Sequence, residues 1–219
     1  MVNKFDAYDL LGILVPGLLV LGWAPVCFPS VSAGSSWAGF PDAFKVVLLT
    51  ALAVFVGQLV QAIASLLEPL IYRTWGGRPS DTALSSGLEG YFPRDTAIRI
   101  RTKLSEEVGE VSANNSLFLY AMQMSDGNEI GRSHRFNTLY AYHRALLVLV
   151  LICGAALGAS MIWGAAASWS VGQRVVTGLG VFALLVLVWH RARQRAFYYV
   201  REVLLTAERI LDDRKREKE

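Results

Sequence analysis

The sequence predicts an all-α integral membrane protein with four transmembrane helices and a small helical cytosolic module. Of its 219 residues 53% are hydrophobic and only 18% are charged, whereas a soluble domain carries about a quarter charged residues. Charge is nearly absent from four stretches, at 10–29, 46–67, 145–169 and 175–189. Three of them have the roughly 20 residues that cross a hydrocarbon core. The fourth reaches that length if Val171 to Arg174 are included, with the arginine head extending to the interface.

The soluble alternative is a helical bundle whose four apolar helices are buried. A core helix of this length normally keeps a polar face. The stretch ALLVLVLICGAALGASMIWGAAASW at 145–169 has no charge on any face. We therefore favour membrane insertion.

The distribution of Lys and Arg predicts the orientation, because cytoplasmic loops carry an excess of these residues. Segments 30–42 and 164–173 contain none, whereas segment 73–144 contains nine and the tail after residue 190 contains nine more. Both short loops are therefore predicted outside and both charged segments inside. Because an even number of spans puts both termini on one side, both are predicted to lie in the cytoplasm.

The first apolar stretch, within KFDAYDLLGILVPGLLVLGW at 4–23, has an alternative interpretation as a signal peptide cleaved near Val31-Ser32-Ala33. Its amino-terminal end has one Lys and two Asp instead of a net positive charge, and its apolar run exceeds 7–15 residues. We expect a retained transmembrane helix. Pro16 and Gly17 then lie near mid-bilayer, where the missing backbone hydrogen bond predicts a kink packed against neighbouring helices.

These assignments divide the chain into four segments: a helical hairpin at 1–72, a cytosolic helical segment at 73–143, a second hairpin at 144–190 and a cytosolic C-terminal helix at 191–219. In TWGGRPS, Gly76-Gly77 is expected to end a helix, Pro79 to prevent its resumption and Ser80 to cap the next one. EGYFPRD predicts a second break, and Asn114-Asn115 is a turn signal.

Two helices outside the membrane are predicted to be amphipathic. In the first, Ala97, Ile100, Leu104 and Val108 alternate with Ile98, Arg101, Thr102 and Ser105. In the tail, which continues the fourth span, apolar residues recur at steps of three and four, at Phe197, Val200, Leu204, Ala207 and Leu211. The tail helix needs an apolar partner, for which we prefer the central segment of the same chain over a neighbouring subunit or the membrane surface.

Polar residues share one face of the second predicted span, at Gln58, Gln61, Ser65 and Glu68. Polar side chains inside a membrane face either the bundle interior or a water-filled path. The face is therefore either hydrogen-bonding contact between helices or the lining of a pore. We prefer the contact between helices, because one carboxylate at the interface makes a poor ion relay.

Small residues predict close helix packing in the third and fourth spans. Gly154 and Gly158 form a G-x-x-x-G pattern, which lets two helices approach closely. Gly178 and Gly180 are its natural match within the chain. The pattern fits packing inside the fold and packing between copies of a homo-oligomer equally well.

A polar cluster is predicted at the cytosolic interface of the membrane, formed by Asp9, Arg135, Asn137, Tyr140 and Arg144. The arginines can bind lipid phosphates or pair with Glu68 and Asp9 across the bundle, and we prefer the pairing. No cofactor or metal is expected, because His134, His143 and His190 lack metal-ligand spacing. Phosphate-loop and protease motifs are also missing, so the chain is predicted not to be an enzyme, and its net charge of +3 gives no indication of nucleic acid binding.

Three stretches carry a resemblance: FDAYDLLGILVPG at the start, YRTWGGRPSD after the second span and RFNTLYAYHRALL entering the third. In these the chain resembles small uncharacterised bacterial four-span inner-membrane proteins. The architecture is also similar to that of membrane subunits of bacterial antiviral operons, although a fold does not determine function.

Two functions follow as expectations. The first is a non-enzymatic scaffold or sensor subunit that contacts membrane lipids and whose cytosolic module binds a protein partner. The second is an oligomeric pore-forming or membrane-disrupting effector, with the polar face of the second span along its path. A transporter is less favoured, because paired broken helices are missing.

Overall fold

The computed structural model describes residues 7–27, 39–109, 113–126 and 133–217, of which residues 7–9, 11, 25–27 and 165 are described by their backbone alone. Val31-Ser32-Ala33 lies outside these residues. The helices are α1 (Ala7–Cys27), α2 (Asp42–Thr74), α3 (Pro79–Ser86), α4 (Arg94–Val108), α5 (Asn114–Asp126), α6 (Ser133–Trp163) and α7 (Val171–Arg216), with a short 3₁₀ helix at Ala165–Ser168. Apart from one antiparallel bridge between Leu88 and Phe92, the regular structure in these ranges is helical, as predicted.

Three helices are long and apolar enough to cross a membrane. The helical stretches that begin at Asp42, Ser133 and Val171 contain 18-residue windows with mean hydropathies of 2.3, 2.6 and 2.0. α1 is also apolar, and over Gly12–Ala24, where its side chains are described without a gap, it forms a shorter apolar helix. The first of the four predicted spans therefore stays a prediction.

The chain divides into two compact units. The first comprises Met1–Leu67 and Ala141–Ala192, and the second comprises Glu68–Tyr140 and Arg193–Glu219. The boundaries fall within α2, α6 and α7. We call the second unit the helical module.

In the first unit α1 packs against α2 through small residues. Pro16 and Gly17 are buried, as are Ala53 and Gly57 of α2. A Cβ on Gly17 would lie 1.8 Å from the Ala53 carbonyl oxygen, and a Cβ on Gly57 would lie 2.0 Å from the Ile13 carbonyl oxygen. The two backbones therefore touch at positions that accept only glycine.

The helical module has its own apolar core. The predicted inner face of α4 supplies Ala97, Ile100 and Leu104, each fully buried, whereas Val108 at the helix end is exposed. The tail residues Phe197, Val200, Leu204, Ala207 and Leu211 are buried in the same core, against residues of α3, α4 and α5. The apolar partner of the tail helix is thus the central segment of the chain, as we preferred.

The turn between α2 and α3 corrects one prediction. Gly76 and Gly77 adopt φ values of 86° and 129°, a region that favours glycine, and they end α2 as expected. The cap of α3, however, is Arg78, which has an extended backbone and no side-chain cap, followed by Pro79 as the first helical residue. Ser80 is the second residue of α3 and its side chain is buried, so it does not cap the helix. Asn114-Asn115 likewise begins α5 and forms no separate turn.

Candidate functional site

The proline in α1 exposes a carbonyl group that α2 satisfies. Pro16 has no N–H, so the Gly12 carbonyl four residues earlier has no helical donor. Gln61 Nε2 donates to this carbonyl oxygen over 3.0 Å. Gln61 thus joins two helices, which is the hydrogen-bonding contact that we preferred for the polar face.

The other polar residues of α2 lie in different surroundings. Ser65 Oγ donates to the Gln61 carbonyl at 3.1 Å and accepts from an Arg144 guanidinium nitrogen at 3.1 Å. Gln58 is exposed and makes no hydrogen bond to any described residue. The predicted face is therefore not one continuous polar path: Gln61 and Ser65 are engaged inside the first unit and Gln58 is not.

Glu68 belongs to a cluster of aromatic side chains in the helical module. Its Oε1 accepts from the Tyr72 hydroxyl at 2.5 Å and from the Tyr140 hydroxyl at 2.7 Å. The Trp75 ring packs against both tyrosine rings, with centroid distances of 5.6 and 6.4 Å. Because Tyr72 and Glu68 are on α2 and Tyr140 is on α6, this cluster fastens the ends of the two helices together.

The predicted interfacial cluster is placed only in part. Tyr140 is buried at Glu68, and Arg144 contacts Ser65. Arg135 and Asn137 are exposed. The side chain of Asp9 lies outside the described part of the chain, so its pairing stays a prediction.

The four glycines predicted to pack differ in their surroundings. A Cβ on Gly154 would lie 2.9 Å from Val181 Cγ1, which places Gly154 against α7. Cβ atoms on Gly158, Gly178 and Gly180 would meet no described atom within 4 Å. No described residue therefore packs closely against these three glycines. Their role as a homo-oligomer face stays a prediction.

Ion pairs hold the tail helix to α4 in the helical module. Arg99 Nε lies 2.7 Å from Glu208 Oε1, and Lys103 Nζ lies 3.1 Å from the same oxygen. Lys103 Nζ also lies 2.6 Å from Asp212 Oδ1. The hydrogen bond from Arg99 lowers the pKa of the Glu208 carboxyl, and the one from Lys103 lowers the pKa of the Asp212 carboxyl. These charges stabilise the docked tail.

An open groove lies on the outer surface of α3 and α4. It has a volume of about 500 Å³, and its lining residues are Leu84, Ser85, Ile98, Arg101, Thr102, Ser105 and Glu106. Most of them belong to the outer face of α4 that the sequence pattern separated from the core. Ile98 is 52% exposed in the groove, which leaves an apolar side chain accessible beside an arginine and a glutamate.

The described residues contain no group of three or more His, Cys, Asp or Glu side chains placed to hold a metal ion. Comparison of the chain with protein-family models, with curated proteins and with solved structures finds no match.

Four features of these sites were not singled out from the sequence: Gly57, the Tyr72 and Trp75 rings beside Glu68, the ion pairs of Glu208 and Asp212, and the groove. Gly57 had a signal, because Ala53 and Gly57 form a small-x-x-x-small pattern. The ion pairs join residues more than a hundred positions apart, so no local spacing reveals them.

Proposed function

We propose that this chain is a non-enzymatic scaffold or sensor subunit of a bacterial inner membrane, with both termini in the cytoplasm and the helical module bound to a protein partner. By analogy with membrane subunits of antiviral operons, we place it in such a system. The absence of Lys and Arg from segments 30–42 and 164–173 supports the orientation.

The groove on α3 and α4 carries this proposal. The module buries its own apolar core and fixes its tail with ion pairs, yet it leaves Ile98 accessible in a groove flanked by Arg101 and Glu106. An apolar anchor site with a charged rim is the usual anatomy of a protein interface. The polar residues Gln61 and Ser65 support a scaffold further, because they hold helices together.

Site-specific photocrosslinking in the native cells tests the proposal. A photoreactive amino acid replaces Ile98 in the groove, and the matched control replaces Leu119, an exposed apolar residue of α5 in the same module. We expect one protein adduct from position 98 and none from position 119. Filling the groove with Ser105→Trp should reduce the adduct at least several-fold. Equal adducts at both positions, or an adduct unaffected by Ser105→Trp, would contradict the proposal.

One observation favours the second candidate function, an oligomeric pore. Gln58 is a polar residue of α2 that is exposed and makes no hydrogen bond to the described chain, as expected for a residue that lines a water-filled path between copies. The engagement of Gln61 and Ser65 within one chain counts against a continuous path, so we keep the pore as the alternative.

A further inference from the structure

Gln58 lies at the depth where a polar side chain is least tolerated. It is within about two residues, or about 3 Å, of the middle of the predicted span 46–67. A glutamine side chain is too short to reach the headgroups from there, since the hydrocarbon core is about 30 Å thick. Its amide has two donor hydrogens and an acceptor oxygen, and in lipid each of these groups lacks the hydrogen bonds that water supplies.

No residue that the structure describes satisfies this amide. Other polar side chains near it on α2 are engaged: Gln61 donates to Gly12, Ser65 bonds to Gln61 and Arg144, and Thr50 donates to the Val46 carbonyl. Gln58 alone among these four is exposed without a described partner. Its neighbours one turn away on the same side, Phe55 and Ala62, are exposed too.

We propose that the α2 face centred on Gln58 is the contact between two copies of this chain in the membrane. A primary amide is self-complementary, because the donor of one amide fits the acceptor of the other. In a two-fold symmetric pair a residue on the axis meets itself, so one Gln58–Gln58 contact gives each amide a hydrogen-bonding partner in the other chain. Ala62 beside it leaves room for the second helix to approach. The inference rests on α2 crossing a membrane, not on the proposed protein partner.

Energy transfer between two labelled populations of the full chain, reconstituted in phospholipid vesicles, tests this contact. The efficiency is measured over a series of protein-to-lipid ratios. We expect the wild type to self-associate and Gln58→Leu to weaken association by about 3- to 30-fold per hydrogen bond lost. Gln58→Asn should retain most of the association, because it keeps the amide. The matched control Leu59→Ala, at the same depth but about 100° round the helix, should associate as the wild type does.

Cysteine crosslinking gives a second readout that does not depend on association strength. In a chain carrying Cys27→Ala and Cys153→Ala, Gln58→Cys should form a disulfide-linked dimer under oxidation and Leu59→Cys should not. A wild type that is monomeric at every protein-to-lipid ratio would overturn the proposal. So would a Gln58→Leu variant that associates like the wild type, or equal crosslinking at positions 58 and 59. Failure of the Ile98 crosslinking experiment leaves this result unaffected.

Discussion

At the scale of single residues, a proline and a glutamine 45 positions apart depend on each other. Pro16 removes the donor that the Gly12 carbonyl would have in an unbroken helix, and Gln61 supplies a replacement across the α1–α2 contact. Because an unsatisfied carbonyl is costly in lipid, the proline makes the glutamine necessary. The Pro-Gly pair therefore marks where α1 contacts α2.

A double-mutant cycle measures this dependence. We expect Gln61→Leu to destabilise the folded chain by about 0.6–2 kcal/mol. In a Pro16→Ala background the N–H of residue 16 can bond to Gly12, so the same substitution should cost clearly less. The measurement is the free energy of unfolding in detergent for the four proteins. An equal cost of Gln61→Leu in both backgrounds would show that the two residues act independently.

A second prediction at this scale concerns acid. The pKa of the Glu208 carboxyl is held below its usual value of 4.5 by Arg99, and that of Asp212 below 3.8 by Lys103. Groups with a lowered pKa in the folded state add stability that is fully present above the usual pKa and is lost as the pH falls through the lowered value. The module should therefore lose stability below about pH 4.5.

Thermal unfolding followed by circular dichroism between neutral pH and about pH 3 gives the measurement. Glu208→Gln should be less stable at neutral pH and should lose less on acidification than the wild type. The control is Glu106→Gln, since Glu106 is exposed and forms no ion pair with another described residue. An acid dependence that Glu208→Gln leaves unchanged would assign the effect to other carboxylates.

At the scale of helices, glycine positions decide where two helices meet. Gly57→Ile should destabilise the chain by about 1–3 kcal/mol or more, because even a Cβ there would overlap the Ile13 carbonyl. Gly158→Ile is the matched control, since nothing described lies within 4 Å of a Cβ at that position. The midpoint of thermal unfolding in detergent compares the two variants. Equal effects would contradict the α1–α2 contact as described.

Much of the helical architecture was predictable from the sequence, because the apolar pattern of each helix records its surroundings. The inner face of α4 and the apolar face of the tail were read from steps of three and four residues, and they form the core of the module. The long α7 is consistent with the absence of proline between Val171 and Arg216. The start of α3 was less predictable. Both Ser80, as a cap, and Pro79, as a first helical residue, are compatible with a helix start, and the helix begins at Pro79.

The candidate site was less predictable, since it depends on contacts distant in the sequence. Ser65 and Gln61 could be assigned to one face of α2, but which carbonyl Gln61 would meet depended on the position of α1 beside it. The groove could not be predicted from the polar face of α4, because a single Ile98 among Arg, Thr and Ser is typical of an ordinary solvated surface. Its concavity comes from Leu84 and Ser85 of α3.

At the scale of the whole molecule, the chain combines helices suited to a membrane with a helical module that is separately packed. Among the described helices three are long and apolar enough to span, and the module has a core of its own. We propose that the first unit anchors the protein in the membrane and that the helical module binds a partner. The pore alternative assigns the function to α2 instead.

Ion flux through vesicles that contain the purified full chain distinguishes the two most directly. Release of a trapped dye and collapse of a potassium gradient are recorded at protein-to-lipid ratios at which Gln58-dependent association is complete. We predict flux equal to that of protein-free vesicles, for the wild type and for Gln58→Leu alike. Flux by the wild type that Gln58→Leu abolishes would contradict the scaffold and establish the pore.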